Sequence, residues 1–189
     1  TIKIIKELNV QCVKLFIRKN SKGLSSAFMF GLLKSKGEIV GWIDTNMPYV
    51  IKKYKEMLNY LNDYDLVLLS RYISNGGDNR NFIRKNFSIV LNKFTKIILN
   101  SDINDLSSGL FLMKRNILID ALPICYGHGE FMIEFIYQLE KRNIKIKEIP
   151  YVQENEENNS KTSSNLIHFT KLCFSYFFRV LLCVVNKDR

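Results

Sequence analysis

The sequence predicts an α/β domain with a mostly parallel sheet flanked by helices, and three observations lead there. Short apolar runs of strand length alternate along the chain with longer segments of helical periodicity. Two of those runs, 38–44 (EIVGWID) and 65–70 (DLVLLS), are apolar nearly throughout, as strands covered on both faces are. Strands alternating with helices join by right-handed crossovers into a parallel sheet. With 189 residues, 47% of them hydrophobic, the chain can bury a core, which excludes disordered and fibrous classes.

Residues 1–9 read as a helix with Ile4, Ile5 and Leu8 on one face, and 13–18 (VKLFIR) as a strand. A turn at Asn20-Ser21-Lys22-Gly23 leads to a helix over 24–36 rich in small and apolar residues, stopped by Gly37. The strand 38–44 follows, then a helix over 50–62 through Ile51, Tyr54, Met57, Leu58 and Leu61, and the strand 65–70. A polar, glycine-containing loop occupies 72–81, a long helix 82–100, a strand 110–114, and a short helix runs to Leu122. Further helices are predicted over 130–142 and 165–185, with an alternating strand at 144–152 (IKIKEIPYV) and a polar loop at 153–165. The organisation expected is one domain over 1–163 and a C-terminal helix over 164–189.

Lys plus Arg number 28 against 18 Asp plus Glu, so the net charge of +10 points to anionic partners: nucleic acid, an acidic membrane surface or phosphorylated substrates. Four cysteines form no CxxC pair and have no nearby histidine, which argues against a zinc site or disulfide framework and for reduced thiols.

Four constellations could carry chemistry. Asp44-Thr45-Asn46 follows a buried strand, where ligands gather in open α/β sheets; a carboxylate there can hold Mg²⁺ against a diphosphate, and can equally cap a turn. Ser70-Arg71-Tyr72, Gly76-Gly77, Arg80, Arg84, Lys85 and Ser88 combine guanidinium forks with a hydroxyl, which suits phosphate oxygens as well as a solvated basic face. Asp105-Leu106-Ser107-Ser108-Gly109 is a turn entering a strand, and Glu134 is a carboxylate between Phe131 and Phe135 on a helix. In the last helix His168, Lys171, Ser175 and Arg179 form a polar basic stripe on an otherwise apolar surface, a poor transmembrane span and a good interfacial helix; docking on the core is the competing use.

Taken in order, these motifs resemble family-2 glycosyltransferases of the dolichol- or polyprenyl-phosphate sugar synthase branch. The matching elements are Lys22-Gly23-Leu24, Gly37-Glu38-Ile39-Val40 leading to Asp44-Thr45-Asn46, Ser70-Arg71-Tyr72 with Gly76-Gly77, Arg84 with Ser88, 105–109, Glu134, Ile149-Pro150-Tyr151 and Ser160-Lys161-Thr162. The resemblance covers about 1–165 and implies a GT-A (Rossmann-like) fold whose first strand is missing here. It implies transfer of a sugar from a nucleotide sugar to a polyprenyl (dolichyl) phosphate, with Mg²⁺ or Mn²⁺ as cofactor, at the cytoplasmic face of a membrane. Asp44 falls on the first acid of the family's metal motif and Asn46 on the second position. Asp44 and Asp105 are then the catalytic candidates. Arg71, Arg84 and Ser88 fall on acceptor-phosphate positions, Lys161 on a closing loop, and Lys22 and Glu134 on substrate-binding positions. Nucleic acid is not an expected partner.

Three departures from the family pattern keep rivals open. The opening strand and its acidic loop are absent, the second metal-motif acid is Asn46, and the loop before Ser160 is acidic through Glu154, Glu156 and Glu157. The alternatives are a catalytically degenerate or partner subunit that keeps the fold, and a family-2 transferase acting on a polysaccharide acceptor.

Overall fold

A computed structural model describes residues 2–18, 23–43, 47–118, 127–155 and 166–186. The elements are α1 (Ile2–Leu8), α2 (Leu24–Lys34), β1 (Ile39–Trp42), a 3₁₀ turn (Pro48–Val50), α3 (Ile51–Tyr60), β2 (Leu66–Ser70) and β3 (Gly77–Asp78). They continue with α4 (Phe82–Leu99), β4 (Phe111–Lys114), a 3₁₀ turn (Arg115–Leu118), α5 (Phe131–Lys141), β5 (Ile146–Pro150), β6 (Val152–Gln153) and α6 (Leu166–Val185).

The main sheet has the order β1-β4-β2-β5. β5 lies parallel to β2, with Leu66 opposite Ile146 and Ser70 opposite Pro150. β4 runs antiparallel to both of its neighbours, Leu112 standing opposite Gly41 on one side and Val67 on the other. Three of the four strands, β1, β2 and β5, therefore run in one direction, as a mostly parallel sheet requires, and the reversed β4 between β1 and β2 makes it mixed. An apolar run specifies burial on both faces but carries no information about strand direction. Gly41 lets β1 and β4 approach closely: a Cβ there would collide with the Leu112 side chain.

Side-chain alternation sorts the sheet into two cores. Leu66, Leu68, Phe111 and Met113 face α2, α4, α5 and α6. Val67, Leu69, Leu110 and Leu112 face α3 with Met57 and Leu61. Phe28 of α2 centres the larger core, with ring centroids 5.2 Å from Trp42, 5.1 Å from Phe131 and 5.5 Å from Phe135. Such tilted and edge-on contacts add to simple area burial.

The long helix α4 starts at Asn81, whose side chain accepts the Arg84 amide at 3.0 Å, and ends at Asn100 in the left-handed conformation (φ 48°). Ser88, Leu91, Asn92, Thr95 and Leu99, spaced three or four apart, turn inward. α6 packs on α4 and α5 and seats Val180 and Cys183 in the larger core. Phe177 reaches Phe94 at 5.0 Å.

Segment 13–18 is not a strand. Its strand-forming residues meet no ladder partner among the described residues, and Val13, Phe16 and Ile17 stay exposed. A strand is completed only by its neighbour.

Candidate active site

The first residue past β2 is Arg71, so its side chain emerges at the carboxyl end of the strand that sits between β4 and β5. It is buried, and so is Asp105, which comes from the loop between α4 and β4. The two meet fork to fork: Arg71 Nε donates to Asp105 Oδ2 at 2.7 Å and Nη2 to Oδ1 at 2.7 Å, while the Arg71 backbone N–H donates to Oδ2 at 3.0 Å. Nη2 also donates to Ser107 Oγ at 2.8 Å, and Nη1 to Gln153 Oε1 of β6 at 3.1 Å. Burial alone would lower the guanidinium pKa. The facing Asp105 carboxylate overrides that and holds it well above the ordinary arginine value.

Around this pair lies a second layer. The two-residue sheet of β3 and β6 closes over the carboxyl ends of β2 and β5, with the Tyr151 amide donating to the Ser70 carbonyl and the Gly77 amide to the Tyr151 carbonyl. Asp78 of β3 accepts from Arg80 Nε at 2.8 Å and Nη2 at 2.5 Å. Burial pushes the Asp78 carboxyl up, but Arg80 outweighs it and leaves the pKa below the usual carboxylate value. The Arg71 guanidinium stacks over the Tyr72 ring at 4.9 Å. The Tyr72 hydroxyl meets Asp78 at 3.3 Å and hydrogen-bonds Ser88 of α4. Asn92, one turn after Ser88, donates to Ser107 Oγ at 2.8 Å.

The structure thus brings together Arg71, Asp105 and Ser88, three residues singled out from the sequence. Asp105, expected as catalytic, is fully buried and gives both oxygens to Arg71. Arg84 lies on α4 one turn before Ser88 and is half-buried. Glu134 is buried on α5 and accepts from Arg179 Nη1 of α6 at 2.5 Å. That contact corrects the basic stripe expected on the last helix: Arg179 points inward, while Phe174, Phe178, Leu181 and Val185 point outward. Lys22, Asp44, Asn46 and Lys161 lie outside the described residues.

Sequence reasoning missed Asp78, Asn92, Glu148 and Gln153. An acid directly after Gly76-Gly77 and one inside the strand 144–152 are visible in the sequence, but only the fold shows their partners.

The residues expected to hold a divalent metal, Asp44 and Asn46, lie outside the described residues. Asp44 and Asn46 offer hard oxygen donors that suit Mg²⁺ or Mn²⁺. Among the described residues no group of three or more His, Cys, Asp or Glu could hold an ion, and the Asp105 and Asp78 carboxylates are already taken by arginines.

A sheet covered by helices on both faces, with a buried ionic cluster at the carboxyl ends of β2 and β5, is the build of a GT-A glycosyltransferase domain. The chain belongs to glycosyl transferase family 2, whose sequence profile matches residues 1–122. A dolichol-phosphate mannosyltransferase of Pyrococcus furiosus is 29% identical over 147 residues, 74% of this chain and 40% of that protein. Glucosyl-3-phosphoglycerate synthase of Mycobacterium tuberculosis, solved with Mg²⁺ and uridine diphosphate, superposes with a TM-score of 0.62 and 14% identity over 86% of this chain and 54% of that one. The same enzyme with Mn²⁺ and UDP-glucose gives 0.62 and 14% over 87% and 55%. The chain spans less than half the length of the mannosyltransferase and little more than half that of the synthase. At these identities the structural likeness speaks for the fold.

Proposed function

We propose that this chain carries the transferase domain of a glycosyltransferase that moves a sugar from a nucleotide sugar to a polyprenyl phosphate at a membrane surface. One observation carries the choice of acceptor. α4 combines the phosphate-binding candidates Arg84 and Ser88 with an outward apolar face of Phe82, Ile83, Val90 and Ile97. The exposed side of α6, which packs beside α4, is apolar as well. A lipid phosphate needs this pairing of a cation with an apolar surface. Among the described residues no helix is long and apolar enough to cross a membrane, so contact through these faces is interfacial.

The chemistry suits the residues. A phosphate monoester is anionic at neutral pH, so its oxygen attacks the anomeric carbon without a strong base, and the nucleoside diphosphate leaves. Arg84 and Ser88 orient the acceptor phosphate. Arg71 and Asp105, locked to each other, hold the end of β2 against the loop before β4. A divalent cation at Asp44 and Asn46, when bound, neutralises charge on the leaving diphosphate.

The test uses the full chain with a panel of UDP- and GDP-sugars, Mg²⁺, and either polyprenyl phosphate in vesicles or free 3-phosphoglycerate. Transfer to the lipid, lost in Asp44→Ala, is the expected result. Arg84→Ala should raise KM for polyprenyl phosphate about tenfold, the loss of roughly one charged contact, and leave KM for the nucleotide sugar nearly unchanged. Transfer to 3-phosphoglycerate alone would move the acceptor to the soluble class of the synthase. No transfer, together with no calorimetric binding of nucleoside diphosphate and Mg²⁺, would mark a degenerate or partner subunit. Replacing Phe174 and Phe178 by Ser should leave stability within about 0.5 kcal/mol, as surface changes do, while reducing co-sedimentation with anionic vesicles.

A further inference from the structure

We propose that Glu148 is a positioning residue that sets Asp105 and, through it, Arg71. Glu148 stands on β5 and reaches across to the loop between α4 and β4. Its Oε2 accepts the Asn104 backbone N–H at 3.0 Å and Asn104 Nδ2 at 2.8 Å, and its Oε1 accepts the Asp105 backbone N–H at 3.0 Å. Both oxygens are engaged, so the carboxylate fixes two successive peptide groups in position and in roll.

The consequence falls on the next bond along. Asp105 can present both oxygens to the Arg71 fork only if its backbone is held at the right angle, and Glu148 grips that backbone. From Arg71 the line continues through Nη1 to Gln153 of β6, the strand that follows β5. The hydrogen bonds run from β5 to the 104–105 loop, to the end of β2 and to β6, and the chain from Glu148 to Gln153 closes them into a ring. Every donor and acceptor in the ring constrains the next, which is how a buried polar network holds one geometry.

The chemistry requires a carboxylate. Three donors converge on two oxygens. A glutamine would turn its own NH₂ toward one of those donors, losing at least one bond and setting donor against donor. An aspartate is one methylene too short.

The test reads Arg71 directly, by hydrogen exchange of its Nε–H in the ¹⁵N-labelled full chain. Slow exchange is expected in the wild type, and Glu148→Gln should accelerate it at least about tenfold, as local opening does. Asn104→Ala, which removes the Nδ2 bond to Glu148 and the Oδ1 bond from Lys96 but keeps both backbone bonds to Glu148, should accelerate it less. Unchanged exchange in Glu148→Gln overturns the proposal. Should that variant not fold, Asn104→Ala decides, and no acceleration there overturns it too. The acceptor side of the claim rests on the transferase reading above: Glu148→Gln should raise KM for polyprenyl phosphate and spare that for the nucleotide sugar, and an equal rise in both sinks it. A wild type without transfer defeats the transferase reading and leaves the exchange measurement to judge Glu148.

Discussion

Two of the buried arginine–carboxylate contacts among the described residues, Arg71 with Asp105 and Arg179 with Glu134, are built for different purposes. Arg71 and Asp105 join a strand end to a loop, share two side-chain bonds and one backbone bond, and engage Ser107 and Gln153 besides. Arg179 and Glu134 join two helices, α6 and α5, through a contact that sits among apolar neighbours including Val180 and Cys183. Burial pushes the Cys183 thiol up to about 12, a measure of how dry that second setting is. The first pair anchors a polar network between a strand end and a loop, whereas the second ties two helices together. Burial of an ion pair says little by itself about what the pair does; its further partners do.

That contrast predicts a graded series. Arg71→Ala or Asp105→Asn should cost about 3–5 kcal/mol, because the partner charge is left buried and unpaired. For a chain of this size the loss lowers Tm by roughly 6–20 °C. Replacing both by apolar residues should not recover it, since the Arg71 backbone N–H would lose its acceptor and Ser107 and Gln153 would each lose a bond. Denaturant titration of the singles and the double checks this.

At the second pair, Arg179→Met alone should be similarly costly, but Glu134→Leu with Arg179→Met should return to within about 1 kcal/mol of the wild type, because dry pairs replaced whole by apolar residues are often neutral. A double variant as unstable as the single would erase the distinction between the two pairs.

The smallest effect concerns Asp78 beside the first pair. Its folded pKa lies below the unfolded one, so the unfolded chain binds more protons in the acid range. The stability it contributes is fully present above the unfolded carboxylate pKa of about 4 and is lost as pH falls through the folded value. Asp78→Asn should flatten the acid limb of a stability–pH curve, and an unchanged limb would show that Arg80 does not hold this carboxylate.

Much of the fold was legible in the sequence. The helices α2 to α5 and the strands β1, β2 and β4 fall within or against the segments whose periodicity or apolar runs predicted them. The reversal of β4 was not legible, nor was the failure of 13–18 to pair, since both depend on neighbours remote in the chain. The site shows the same division. Arg71 and Asp105 stood out as residues, and family resemblance gave each a separate task. Their engagement with each other spans 34 positions and follows only from the meeting of β2 with the loop before β4. Arg179 is the sharpest case: helical spacing aligned it with Lys171, while Glu134, 45 positions away, turned it inward.

The insertion of β4 between β1 and β2 also dictates an order of assembly. β1 and β2 emerge before β4 during synthesis, yet neither pairs with the other. Among the described strands both lack a ladder partner until residues 111–114 supply the one that bridges them, and β2 waits longer still for 146–150 on its far side. Pairings this distant in sequence close slowly, because the intervening loop entropy is lost before any contact rewards it. The apolar run LVLLS therefore spends the early life of the chain as an unprotected adhesive strip, and a chaperone that shields residues 66–70 until β4 arrives would raise the yield of folded protein.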